Sequence, residues 1–371
     1  MHGKLWIRTS RQWLQGLTAA AIAASGVAAQ AKTASVDEVR SVGANAQRAG
    51  SQSFAGPWWR GFGEAPLAGL QQAAAGRVGA RFVAAQGTHA MALDAQVATA
   101  YVAMRTYNVR WRLAVELRES LDRQRQLLAA SAPVASLGDA LATLDDRRAK
   151  ADRFAATLLA QRDAAIAALA GLTGATQQEM TNEMQAALAI SDMPVFNAAT
   201  PERLPRSVLM ARGDVSASQG RMALGRRFSP EAGHQLAIGT ASLSGWIDAA
   251  SSMRTVATQA TSLLPDVQEL LAVAAQAETE ISADLADLQH RTVETSRMVE
   301  IVKTRQLDLE ASRRRVEVGA GSEHEVIKNV QALLVNDDQL AISAGEMAYA
   351  WIRLQASTGG QALQARRATE D

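Results

Sequence analysis

Apolar residues recur at three- and four-residue steps through much of this chain, and in places the pattern holds for many turns. Between Thr88 and Ala130, Val97, Tyr101, Met104, Val109, Leu113, Leu117, Leu121 and Leu127 fall mostly at that spacing, which predicts one long helix with an apolar stripe. Glu119 and Arg123 stand four apart with the acid first, an order that supports the solvated face. The pattern breaks at Ala132-Pro133-Val134 and Ser136-Leu137-Gly138-Asp139. It resumes from Asp139 to Leu172 and stops at Gly171-Leu172-Thr173-Gly174, where glycine can end a helix. Two long helices about a short break predict an antiparallel hairpin.

The same pattern returns downstream. At a constant offset Arg105-Thr106 falls on Arg291-Thr292, Leu121 on Leu307, Ser136 on Ser322, Asp139 on Glu325, Leu141 on Ile327 and Gly174 on Gly360. The later hairpin runs from about Gln276 to Val318, turns at Gly319-Ala320-Gly321-Ser322, and returns from Glu323 to Thr358. Two similar hairpins point to a duplicated chain. Between them lie a polar connector, about Ala175 to Pro201, and a helix-compatible stretch containing Arg212-Gly213-Asp214-Val215. The runs 234–243 and 253–264 have short apolar alternations compatible with residual strands, the first weakened by Gly239.

Composition agrees with helices. The chain has 371 residues, 4% aromatic, with Tyr 3 and Phe 6; abundant alanine suits helices better than sheets. With no cysteine there is no disulfide framework, no cysteine-ligated metal, no thiol nucleophile and no lipobox for acylation. Residues 1–31 carry Lys4, Arg8 and Arg11 and no acid, so removing them takes the formal charge from +1 to −2. Their basic start, apolar Leu17 to Val27 stretch and Ala29-Gln30-Ala31 end match a cleaved secretory signal; the alternative is an N-terminal membrane anchor, for which the apolar run is short. An arm follows, rich in Ser, Ala, Gly and Asn, and then Pro57-Trp58-Trp59-Arg60-Gly61-Phe62-Gly63-Glu64-Ala65-Pro66-Leu67, opening a short alanine-rich helix. Adjacent tryptophans call for burial or an interface: a local cap over helix ends, or a ligand role.

These features together resemble the TolC-like outer-membrane efflux family, especially its NodT-type branch. The resemblance rests on PWWRGFGEAPL, the RGDV of residues 212–215, the two long hairpins, and RRRVEVGAGSEHEVIKNVQALL at 313–334. It extends with gaps from Pro57 to about Gly360. Arg314 or Arg315, Gly319, Ser322, Glu325 and Val326 occupy the family pattern of arginine, glycine turn, serine and acidic-apolar pair; the first repeat keeps Ser136 and Asp139. The resemblance implies a homotrimer whose helices form a periplasmic tube and whose subunits each give four strands to a twelve-stranded barrel. It also implies that small molecules or ions pass from an inner-membrane pump through a periplasmic adaptor touching the helical tip turns. Ser136, Asp139, Arg315, Gly319, Ser322 and Glu325 are then the adaptor-facing candidates, with plain turn formation as the alternative. One departure is large: Gly76 is followed almost at once by the VATAYVAMR region, where the family inserts another helix and two membrane strands.

Nothing in the sequence points to catalysis. His89, His234, His290 and His324 are dispersed, and no HExxH, phosphate loop or dinucleotide-binding start is present. Asp145-Asp146 and Asp337-Asp338 are adjacent on helices, so neither is a facing catalytic pair; both are expected to be polar surface or tube-lining groups. The cations of Arg147-Arg148 and Arg313-Arg314-Arg315 have acids beside them, which argues against nucleic acid. The expectation is a mainly α, exported protein of duplicated helical hairpins with a reduced or missing β-barrel portion, needing no cofactor. Its expected divisions are a signal peptide at 1–31, an arm and short helix at 32–87, hairpins at 88–174 and 276–360, a connector at 175–275 and a tail at 361–371. It acts as an efflux-channel component in the outer membrane or periplasm of a Gram-negative bacterium. The alternative is a barrel-less periplasmic scaffold or adaptor-docking protein descended from such a channel, without transport activity of its own.

Overall fold

A computed structural model describes residues 58–79, 88–131, 137–196, 200–204, 208–209, 212–228 and 265–359. After a 3-10 turn, Trp58–Phe62, come α1 (Ala65–Gly79), α2 (Thr88–Ser131), α3 (Leu137–Thr173), α4 (Gln177–Glu183), α5 (Gln185–Ala189), α6 (Gly213–Phe228), α7 (Pro265–Glu317) and α8 (Glu323–Ser357). Among the described residues there is no strand. The fold is mainly α.

α2 packs with α3, and α7 with α8, as two long hairpins; α8 then lies against α2. The seam between hairpins is antiparallel, because Thr106 meets Gly345, Arg110 meets Asp338 and Arg123 meets Glu323. The four long helices therefore stand in the order α3, α2, α8, α7, with α3 and α7 at the edges. Each hairpin carries a shorter helix on its outgoing long one: α1 lies on α2, and α6 on α7. Polar contacts fix both. Glu64, just before α1, accepts from Tyr101 Oη at 2.5 Å and from Arg105 Nη1 at 2.7 and 2.8 Å. Arg212, just before α6, donates to Glu280 of α7 at 2.8 Å and to Asp214 at 2.6 Å. Its bond to Asp214 raises the affinity of Arg212 for its proton, and the guanidinium in turn holds the Asp214 carboxyl below the usual range.

The main core lies where α2 and α7 begin and α3 and α8 end. Leu67, Leu70, Val97, Tyr101, Met104, Leu169, Met180 and Trp351 are buried together there. Phe196 of the connector bridges it, edge-on to Phe62 with ring centres 4.9 Å apart and stacked on Trp351 at 4.5 Å. Away from this end the apolar packing narrows to small clusters, Leu121 with Leu144 and Ala151, then Leu309 with Val330 and Leu334, then Ile327 with Leu127. Trp58 is buried in the core with Trp59 packed beside it, which favours the capping role for that pair.

Several expectations need correction. The connector is not merely polar: it folds α4 and α5, and Met180, Met184, Ala187 and Phe196 enter the core. Thr176 caps α4, accepting the Glu179 N–H while Glu179 accepts from Thr176. The second hairpin starts earlier than Gln276, because α7 begins at Pro265; proline in a first helical turn lacks an N–H that would have no partner there anyway. The helix-ending counterpart of Gly174 is Gly359, since both have positive φ, +80° and +63°, and Gly360 lies outside the described residues. The runs 234–243 and 253–264 also lie outside them.

Candidate functional site

The tip of the second hairpin is built by local rules. At the end of α7 the Gly319 N–H donates to Val316 O at 3.0 Å and the Ala320 N–H to Arg315 O at 2.8 Å, the paired closing bonds of a helix that ends on a left-handed residue. Gly319 supplies that conformation at φ +72°. Ser322 then starts α8, its Oγ accepting the Glu325 N–H at 3.2 Å. Arg315 and Glu325 form an ion pair across the turn, both exposed at their ends. Of the two arginines that fit the sequence pattern, Arg315 is the one paired with Glu325. Gly321 was not singled out by the sequence, yet a Cβ there would lie 2.9 Å from Arg315 Cβ and 3.0 Å from the Val316 nitrogen. Its signal was a second glycine inside a turn only four residues long.

The two hairpin ends meet. Arg123 donates to Glu323 at 2.8 Å, and Ile327 is fully buried against Leu127 and Val326. Asp139 is exposed in the first turn of α3, its carbonyl accepting from Thr143 at 2.8 Å. Ser136 lies outside the described residues. Val318, 77% exposed, and exposed His324 add an apolar and a titratable group to the second tip. The structure thus brings Arg315, Gly319, Ser322 and Glu325 together, with Asp139 on the other hairpin.

Behind the tips, polar side chains join the hairpins. Arg147 of α3 donates to Gln331 of α8 at 3.2 Å, and Gln331 donates to Gln124 of α2 at 3.1 Å. Arg110, lying over the Phe154 ring, holds Asp338 at 2.7 and 3.2 Å. Asp145 and Asp146 are surface groups paired with Arg125 and Lys150. Asp337 and Asp338 are half-buried, and Asp338 is held in the α2–α8 seam by Arg110, which corrects the surface expectation for this pair. Helix α8 places Asp338 beside Arg110 of α2, a juxtaposition invisible without the pairing of hairpins. Among the described residues no group of three or more metal-ligating side chains converges, and no helix is long and apolar enough to cross a membrane. An open groove of about 700 Å³ between α2 and α3 has alanine as its commonest lining residue, including Ala100, Ala103, Ala160 and Ala164, a surface suited to packing.

No protein-family model matches the chain, and no curated protein does. Solved structures do. The outer-membrane channel OprN superposes with a TM-score of 0.58 at 15% identity, over 91% of this chain and 97% of that one. CusC, described in terms of folding and transmembrane channel formation, gives 0.51 at 14% identity over 87% and 96%. The fold is that of TolC-like outer-membrane channels. The open state of the MtrE outer membrane channel of Neisseria gonorrhoeae gives 0.50 at 15% identity, over 80% of this chain and 70% of that one. In this TolC-like fold the Arg315, Gly319, Ser322 and Glu325 turn is the end of the hairpins remote from the main core.

Proposed function

We propose that this chain is an exported, non-enzymatic component of an efflux system. Several copies surround a passage for small molecules or ions, and the hairpin tips dock on a periplasmic adaptor fed by an inner-membrane pump. The observation that carries this reading is the order α3, α2, α8, α7. Each inner helix has a long neighbour on both sides, whereas α3 and α7 have one each. A layer with two different open edges closes by setting the α3 edge of one copy against the α7 edge of the next, a head-to-tail contact that makes a ring. The alanine groove beside α3, and exposed Val293 and Leu307 of α7 at 70% and 57%, are apolar surface available to that contact. Three copies are the closure the TolC-like fold suggests.

A second reading, the barrel-less periplasmic scaffold, is favoured by one interval. Helix α1 ends at Gly79 and α2 begins at Thr88, so residues 80–87 are all that joins them. Fully extended, they reach roughly 28 Å, and two membrane-crossing strands need about 9–11 residues each. The first repeat therefore has no room for a strand pair, while the interval 229–264 in the second repeat has. Three copies could then offer at most half the strands of a twelve-stranded barrel, and a lipid-facing sheet left open exposes its edge hydrogen bonds. Planar-bilayer recording on purified full-length oligomer separates the readings: discrete conductance steps support the channel, and a silent, folded oligomer recovered without detergent supports the scaffold.

A further inference from the structure

Resting on the head-to-tail ring proposed above, we infer that its junctions have one residue register. In it α7 of one copy runs antiparallel to α3 of the next, with Val293 seated between Asp163 and Ala167, Leu307 between Ala149 and Ala156, and Arg297 paired with Asp163. The facing sides follow from the helix period. In α7 every seventh residue, Leu288, Thr295, Val302 and Leu309, is buried. This side lies on α8, where Thr295 Oγ1 donates to Ser343 O at 3.1 Å and Leu309 packs with Val330 and Leu334. Five residues after each, about 140° around the helix, stand Val293, Glu300, Leu307 and Arg314, all exposed. In α3 the buried side includes Leu144, Ala151 and Leu158, packed with Leu121 or Ala114 of α2. The opposite side carries Ala149, Ala156, Ala160, Asp163 and Ala167, none of them buried.

Heights along the layer set the register. Rotation about an axis along the long helices makes the ring and leaves the height of every residue unchanged, so contacts within one copy suffice. Val293 lies between Arg291 and Thr295, which bond Glu346 and Ser343 of α8, and Gly345 there meets Thr106 of α2. Arg118 of α2 pairs with Asp152 of α3. Thr106 stands twelve residues before Arg118, hence level with a point twelve residues after Asp152, between Asp163 and Ala167. Leu307, fourteen residues nearer the tip than Val293, falls between Ala149 and Ala156, and Arg297 falls beside Ala160 and Asp163. Sizes and charges agree with that register. The valine and leucine, 70% and 57% exposed, meet alanines, which lets the helices approach closely and cover both side chains. Asp163 is held in its own copy by the adjacent Arg162 at 2.8 Å, with 46% of its side chain exposed, and Arg297 is exposed, so the two can meet across the junction.

The chain has no cysteine, so disulfides between introduced cysteines report the junction on a clean background. Within one copy α3 and α7 are opposite edges of the layer, so only two copies can supply the bond. In the full-length protein under mild oxidation, Ala167→Cys with Val293→Cys, and Ala149→Cys with Leu307→Cys, should each give linked copies on a non-reducing gel. The crossed pair, Ala149→Cys with Val293→Cys, is off level by roughly 22 Å, beyond the about 7 Å that a disulfide spans between Cα atoms, and should stay unlinked. Arg297→Glu should lower the assembled fraction in native mass, and Asp163→Arg in the same chain should restore it. An assembled oligomer whose matched pairs stay unlinked, or whose crossed pair links, overturns the register while leaving the ring. Loss of assembly that the charge swap does not restore overturns the Arg297 and Asp163 pairing. A native mass of one chain for the unaltered protein overturns ring and register together.

Discussion

At Gly319 the backbone is held at φ +72°, where a side chain with a Cβ is strained by about 1–2 kcal/mol. Gly319→Val should lower unfolding stability by about that amount and broaden the second tip, as read from denaturant midpoints and amide exchange. An unchanged midpoint with unchanged exchange would remove the special role of this glycine. The Gly319 and Ser322 arrangement was legible because helix ends obey local chemistry, a left-handed residue to stop and a hydroxyl to start. The choice of Arg315 over Arg314 was not, since it depends on which side of α7 faces Glu325. The node of Glu64, Tyr101 and Arg105 was hidden for a stronger reason. Its members are far apart in sequence, and Arg105, fully buried, read only as a repeat marker. Glu64→Gln leaves that guanidinium without its counter-charge and should cost about 3 kcal/mol; a loss below about 1 kcal/mol would show that hydration replaces the carboxylate.

The long helices were legible as elements because periodicity accumulates over many turns, and the apolar stripe from Val97 to Leu127 is the face that α2 turns inward. Short elements were not. Helices α4 and α5 are too brief for a period to show, and they exist because Met180, Met184 and Phe196 find a core made by distant segments. The early start of α7 was obscured by Pro265, which reads as a breaker until it is seen in the first helical turn. How the hairpins pair was not legible either, since an apolar stripe does not name its partner. Close approach of α2 and α8 at Gly345 decides it in part: a Cβ there would lie 2.8 Å from Thr106 Oγ1. Gly345→Ala should therefore push the hairpins apart and cost about 1–3 kcal/mol. Thermal unfolding checks this, and a neutral or stabilising result would mean that Thr106 rotates away freely.

For the whole molecule, the duplication visible in the sequence becomes a layer of four long helices with unlike edges. The short link between Gly79 and Thr88 limits what that layer can place in a membrane. The fold is common to channels of bacterial outer membranes at 14–15% identity, so it is retained by helix period and packing rather than by particular residues. The central claim is that copies of this chain close a ring through the α3 and α7 edges. Electron cryomicroscopy of the full-length protein, extracted from its own membranes with its native mass measured on the same sample, tests this most directly. The account predicts a closed ring, with α3 of each copy against α7 of the next around a central passage. Folded monomers with both edges in solvent, or a symmetric dimer joined through like edges, would contradict it.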